Sequence, residues 1–159
     1  MTEKSSPEKL PYRPCAGMMV LNRKGQVFVG RRIDMASEYW QMPQGGIDEN
    51  ENPLDAALRE LDEEIGTRDV ELIHSLEEWL TYDLPDNLIG KVWKGKYRGQ
   101  KQKWFLFRFL GDDQDINIVT HHPEFSEWKW AEVSEIPQMI VPFKRDLYET
   151  ILQKFASRL

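Results

Sequence analysis

Apolar positions along the chain follow two periods, and the switches between them mark out the elements. Cys15 to Leu21 is a mostly apolar run, Asn22-Arg23-Lys24-Gly25 has turn chemistry, and Val27 and Val29 recur at alternate positions beyond it. This pattern predicts a β-hairpin. From Leu54 the period becomes helical: Leu54, Ala57, Leu58, Leu61 and Ile65 form one stripe, as on a helix packed by one face. Asn52 suits the N-cap, Pro53 the first helical position and Asp55 the first turn, where the helix dipole favours negative charge; Gly66 suits the stop. Val70 to Leu80 and Lys103 to Leu110 are rich in β-formers, and Trp128 and Trp130 alternate with charged residues between Glu127 and Glu132, which predicts strands. After Pro142, Phe143, Leu147, Ile151 and Phe155 recur every fourth residue, with Lys154 and Arg158 near the end, predicting a closing helix. Strands interleaved with two helices imply a mixed sheet with helices packed on its faces, an α/β sandwich.

The length of 159 residues fits one domain. With no repeat or low-complexity tract, residues 1–9 read as a flexible tail and 10–159 as a single domain. No apolar run approaches the length of a membrane span, and Met1 to Pro14 is polar where a secretory signal would be apolar; a cytoplasmic protein is expected. Cys15 is the single cysteine, and His74, His121 and His122 offer no zinc-type spacing, so any metal must be held by oxygen. The net charge of −6 argues against bulk attraction to nucleic acid. Its distribution changes that picture: Lys91, Lys94, Lys96, Arg98, Lys101 and Lys103 lie in one acid-free stretch of charge +6, leaving −12 for the rest.

The chemistry concentrates on the first helix. Residues three and four apart share a helix face, so Glu60, Glu63 and Glu64 fall within an arc of about 100°. That arc is centred roughly 130° from the apolar stripe, so one face is expected to pack and the other to present three carboxylates. Like charges at these spacings destabilise a helix by a few tenths of a kcal/mol per pair. A hard divalent cation such as Mg²⁺ removes that penalty, accepts oxygen ligands and keeps waters, which suits hydrolysis of a phosphoanhydride. Gly45, Glu51 and the run Arg59-Glu60-Leu61-Asp62-Glu63-Glu64-Ile65-Gly66 then stand at a spacing that resembles the Nudix box, a motif of 23 positions ending here at Thr67. Two positions depart from the pattern: Thr67, usually aliphatic, and Asn50, where many relatives have Gly.

The resemblance implies a Nudix-like α/β/α sandwich with a mixed β-sheet. It implies Glu60, Glu63, Glu64 and the Gly45 carbonyl as metal ligands, with Arg59 and Glu51 in orienting roles. The metal would be Mg²⁺ or Mn²⁺, with more than one ion once substrate is bound. Outside the box, Tyr12 to Pro14, Trp40 to Gly46, Trp79 to Pro85, Gly99 to Phe105, Pro123 to Phe125 and Phe143 to Tyr148 are similar to the RNA 5′-pyrophosphohydrolases and the related asymmetrical dinucleoside tetraphosphate hydrolases. From that branch Glu124 resembles a further metal-ligand or base position. Arg13 and Phe143 match positions that contact the 5′ end and leading nucleotides, and Tyr82 matches a base-stacking position. Arg32, Lys101 and Lys103 join them as substrate contacts. Tyr82 as a half-buried strand tyrosine, Phe143 as a helix-packing aromatic and the basic strip as a solvated hairpin remain the structural alternatives. The general base is open among Glu64, Glu63 and Glu124, while His121 and His122 read as loop residues.

The expected activity is metal-dependent removal of pyrophosphate from 5′-triphosphorylated RNA, with dinucleoside polyphosphates as second substrates. The alternatives are a dedicated dinucleoside tetraphosphate hydrolase yielding ATP and AMP, or a non-catalytic nucleotide- or RNA-binding module. DNA, a membrane and an obligatory protein partner are not expected.

Overall fold

The computed structural model describes residues 10–33, 38–121 and 123–159. The predicted hairpin is present: β1 (Tyr12–Leu21) and β2 (Val27–Arg32) are antiparallel, with Leu21 opposite Val27. The turn between them is closed by the Asn22 side chain, which accepts from the Lys24 and Gln26 amides, and by Gly25 at φ 77°. Two short strands follow, β3 (Trp40–Gln41) on the edge of β2 and β4 (Gln44–Gly46) against β1.

The first helix, α1 (Pro53–Ile65), starts and stops as its ends predict. The Asn52 side chain accepts from the Leu54 amide, and Gly66 takes the left-handed conformation at φ 75°. The segment from Val70 to Leu80 is two strands rather than one, β5 (Val70–Ser75) and β6 (Leu80–Asp83), each antiparallel to a different stretch of β7 (Gly99–Phe109). A continuous strand is prevented by the exposed Glu77-Glu78-Trp79 turn between them. β8 (Phe125–Ala131) pairs with β2. A four-residue helix, α2 (Ile136–Met139), precedes α3 (Arg145–Phe155).

Among the described residues the eight strands form one mixed sheet, with β1 and β7 parallel and the other pairs antiparallel. Alternation along the strands divides the core between its faces. Met18, Val20, Phe105 and Phe107 join Ala57, Leu61 and Ile65 of α1 on one side, while Met19, Leu21, Trp104 and Leu106 join Leu147, Ile151 and Phe155 of α3 on the other. This is the expected α/β/α sandwich. No helix among the described residues is long and apolar enough to cross a membrane.

Candidate active site

The box segment is drawn together by close backbone approach. β4 pairs with β1 so that Gly45 faces Ala16 and Gly46 faces Cys15. A Cβ on Gly45 would lie 2.1 Å from Glu60 Cδ, and one on Gly46 would lie 2.7 Å from an Arg13 guanidinium nitrogen. Only glycine lets a carboxylate and a guanidinium rest directly on this strand. The loop to α1 passes through Asn50 at φ 66°. Asparagine is the side chain that best tolerates this left-handed conformation after glycine, which accounts for its use there.

Arg59 ties loop to helix. Its Nε and one terminal nitrogen donate to the two Glu51 oxygens, each at 2.9 Å, and that same nitrogen donates to the Gly46 carbonyl at 2.9 Å. The other terminal nitrogen donates to Glu60 at 3.0 Å and to Glu63 at 3.3 Å. This fork, with the Asp48 amide donating to Glu51 at 3.0 Å, holds the Glu51 carboxyl down at about 2.

The three helix carboxylates differ in setting. Glu63 has its side chain 47% exposed and Glu60 15% exposed, whereas Glu64 is 3% exposed. The expected open face carrying all three is therefore rotated inward: Ala56 and Glu64 are buried while Leu54 and Leu58 are only partly so. The small Ala56 and the glycines of β4 allow this edge of the helix to lie close under the sheet. Burial pushes the Glu60 carboxyl up to about 7, with Arg59 opposing and Glu63 and Glu124 adding to the rise. Burial also pushes Glu64 well up, helped by Glu60 and Glu124 and opposed by Arg32. Glu64 Oε2 is buried without a hydrogen-bond partner. Glu124 is exposed on the strand-leading loop, its carbonyl accepting from the Ile33 amide at 2.8 Å. The Thr120 hydroxyl donates to the Glu63 carbonyl and the Asn117 amide to the Ile65 carbonyl at 2.8 Å, so this loop is fastened to the end of α1. His121 lies exposed on it; His122 falls outside the described residues.

A cleft of about 480 Å³ opens between β3, β6, the β6–β7 loop and α2–α3, walled by Trp40, Tyr82, Trp93 and Phe143 and by the cations Arg32 and Lys144. Tyr82 is only 7% exposed, yet it walls the cleft, with its ring 6.0 Å from Phe143. Phe143 leaves the expected helical stripe: it sits in a 3₁₀ turn before α3, 36% exposed. The Lys144 Nζ lies 5.0 Å from the Tyr82 ring centre, and burial brings its ammonium down to about 8. Arg13 stands between cleft and box, over Gly46 and 5.7 Å from the Trp93 ring centre. Lys101 and Lys103 are not brought to this cleft. They occupy odd positions of β7, on the face opposite Gln100, Gln102 and Trp104; Lys101 covers the Trp79 ring and Lys103 donates to the Glu77 carbonyl at 2.8 Å. Strand alternation is the reason. Lys144, Trp40 and Trp93 are not among the site residues that the sequence pointed to. Lys144 carries a readable signal all the same: it stands three residues before the buried Leu147 and closes the 3₁₀ turn that leads into α3.

The NUDIX domain family matches residues 11–151. The chain belongs to the Nudix family. This Nudix chain is 58% identical over 150 residues to the RNA pyrophosphohydrolase of Sphingopyxis alaskensis, covering 93% of this chain and 95% of the relative. It is 54% identical over 153 residues to that of Roseobacter denitrificans, covering 95% and 96%. Solved structures share the fold at low identity. The E. coli dihydroneopterin triphosphate pyrophosphohydrolase superposes with a TM-score of 0.66 at 17% identity over 91% of this chain and 99% of that one, and a C. elegans Ap4A hydrolase with 0.62 at 17% over 90% and 98%. Nudix hydrolases in general use divalent metal.

The residues of this Nudix site suit such a cation: a buried, unpartnered carboxylate oxygen on Glu64, a Glu60 carboxyl raised by burial, and a backbone cradle at Gly45. As they stand, no three ligating side chains among the described residues converge on one point, and Arg59 engages both Glu60 and Glu63. A pH dependence follows. Glu60 is raised from its ordinary 4.5 to about 7, so its contribution to stability is present below about 4.5 and lost as pH rises through about 7. The loss is on the order of 3 kcal/mol, and Glu64 adds in the same direction. Chelator-treated protein should therefore melt several degrees lower at pH 8 than at pH 5, and Mg²⁺ should raise the melting temperature more at pH 8. Thermal scans at both pH values, with and without the ion, check this.

Proposed function

We propose that this chain hydrolyses a phosphoanhydride at the 5′-triphosphate end of RNA, releasing pyrophosphate and leaving a 5′-monophosphate, with dinucleoside polyphosphates as second substrates. The observation that carries the reading is an aromatic cleft with two cations in its wall, one of which, Arg32, also acts on the charge of the buried Glu64. A nucleotide has both parts that such a place recognises: a flat base for Trp40, Tyr82 and Phe143, and phosphates for Arg32, Arg13 and Lys144. Relatives more than 50% identical across nearly the whole chain bear the name RNA pyrophosphohydrolase, which favours RNA as the substrate.

In this reading Glu60, Glu63 and Glu64, with the Gly45 carbonyl and Glu124, hold Mg²⁺ or Mn²⁺, and more than one ion when substrate is present. Bound there, the metal would neutralise phosphate charge and acidify a water. The chain's own residues do the rest. Arg59 fixes Glu60 and Glu63 to the Gly46 strand, so the carboxylates keep their positions as charge arrives. Arg13 sits over Gly46, where it meets phosphate oxygens as they leave the cleft for the carboxylates. Water oxygen bonds to phosphorus, the bridging P–O bond breaks, and the water's proton passes to a carboxylate among Glu64, Glu63 and Glu124. Burial and its acidic neighbours push the Glu64 carboxyl well up in the absence of cation, which suits it to take that proton.

A dedicated dinucleoside tetraphosphate hydrolase would use the same groups. Side-by-side turnover of 5′-triphosphorylated RNA and diadenosine tetraphosphate with Mg²⁺ separates the two. Faster conversion of RNA to 5′-monophosphate supports the proposal; preference for the dinucleotide, with ATP and AMP as products, overturns it in favour of the small-molecule enzyme.

A further inference from the structure

The loop joining β6 to β7 has two unlike sides. Leu88, Val92 and Trp93 turn inward and wall the cleft, while Lys91, Lys94 and Lys96 are exposed on the outside. The division is made by the backbone: Trp93, Lys94 and Gly95 are successively left-handed, at φ 49°, 58° and 73°. Two of these are side chains that rarely take this conformation. The turn is held by the Gly95 amide on the Val92 carbonyl at 2.9 Å and the Lys96 amide on the Trp93 carbonyl at 3.2 Å. It sets the Trp93 indole against Arg13 and the cleft, while Lys94 is exposed and does not line the cleft.

The neighbouring cation, Arg98, is committed: it donates to Asp83 at 3.0 Å and covers the Tyr12 ring at 4.7 Å. Among the described residues, none of the three lysines takes part in an ion pair, and the loop carries one acid, Asp86. An unpaired basic rim on a body otherwise strongly acidic is attractive to a polyanion at this one place. A dinucleoside polyphosphate has no use for it, since its phosphates lie between its two nucleosides. An RNA chain does: once its first nucleotides occupy the cleft, the remaining backbone must leave over a rim, and this rim is positive.

Resting on the RNA reading above, we infer that the β6–β7 loop is the track on which the RNA body leaves the cleft, with Lys91, Lys94 and Lys96 binding backbone phosphates downstream of the nucleotides held inside. The enzyme then takes a long 5′ end in preference to a triphosphorylated dinucleotide, and the preference is electrostatic.

The test compares the intact protein with a Lys91→Gln, Lys94→Gln, Lys96→Gln triple variant and its Lys→Arg counterpart. Each is assayed with Mg²⁺ on a triphosphorylated single strand of about 20 nucleotides, a triphosphorylated dinucleotide and diadenosine tetraphosphate, across a range of salt. For the glutamine variant, kcat/KM on the long RNA should fall roughly tenfold at low salt, through KM. Its log–log salt slope should shrink by about 0.7 for each phosphate that a lysine no longer neutralises. Dinucleotide and diadenosine tetraphosphate turnover should hold within about twofold, and the arginine variant should behave as the intact protein because it keeps the charge. An unchanged long-to-short ratio and salt slope in the glutamine variant would overturn the track alone. Failure of the intact protein to hydrolyse any triphosphorylated RNA would overturn the proposed activity and the track with it.

Discussion

Glu64→Gln should lower RNA turnover on the order of 10³-fold and at the same time raise the melting temperature of chelator-treated protein at pH 8. The two effects have one cause. Glu64 is 3% exposed, its Oε2 has no partner, and burial with Glu60 and Glu124 nearby pushes its carboxyl well up. Without a cation its ionised form opposes folding, whereas the amide has the same shape and no charge to desolvate. The gain should be roughly 1–2 kcal/mol, or about 3–6 °C for a chain of this size. Turnover falls because the carboxylate charge is what would serve a cation and a proton in transit. Glu63→Gln is the informative contrast: at 47% side-chain exposure it should lose turnover with little gain in stability. Melting curves and initial rates on the three proteins check both halves. A Glu64→Gln protein that melts lower at pH 8 would contradict the reading of Glu64 as a site held against its own stability.

Arg59→Ala should cost stability as well as activity. The guanidinium satisfies both Glu51 oxygens, the Gly46 carbonyl and Glu60. Its loss leaves the part-buried Glu51 carboxylate with only the Asp48 amide as donor and takes the guanidinium from the Gly46 carbonyl, at roughly 3 kcal/mol, or about 6–12 °C. Turnover should drop at least about 100-fold, because among the described residues no other side chain bonds to Glu51, the Gly46 carbonyl and Glu60 together. Arg59→Lys should recover part of the stability but little of the rate, since one ammonium cannot span Glu51, Gly46 and Glu60 together. Acid titration gives an independent readout. Glu51, held at about 2, contributes stability that is present above about 4.5 and lost as pH falls toward 2; that acid-side slope should flatten in Arg59→Ala.

The parts of this architecture legible in the sequence are those where one residue dictates its own geometry. Asn52, Pro53 and Gly66 bracket α1 because cap, ring and αL conformation are local properties. The box spacing likewise survives folding intact, because it is written along one helix and its loop. The parts that are not legible depend on a partner. β3 and β4 are two and three residues long and exist through pairing with β2 and β1. The Lys103–Leu110 segment is apolar on both faces, so its pattern does not say that Lys101 and Lys103 turn from the cleft. Periodicity puts Glu64 on an open face because helix geometry fixes the angle between side chains but not how far the sheet, thinned by Gly45 and Gly46, closes over one of them. Phe143 continues a four-residue period in sequence and leaves it in space, because the Pro142 turn ends before α3 begins.

The most direct measurement of the proposed chemistry is product analysis on 5′-triphosphorylated RNA with Mg²⁺, run in parallel on the intact protein and Glu64→Gln. The intact protein should yield pyrophosphate and 5′-monophosphate ends in equal amounts, and the variant almost none of either. Intact RNA ends after incubation with the unaltered protein, or undiminished release by Glu64→Gln, would contradict a carboxylate-centred RNA pyrophosphohydrolase.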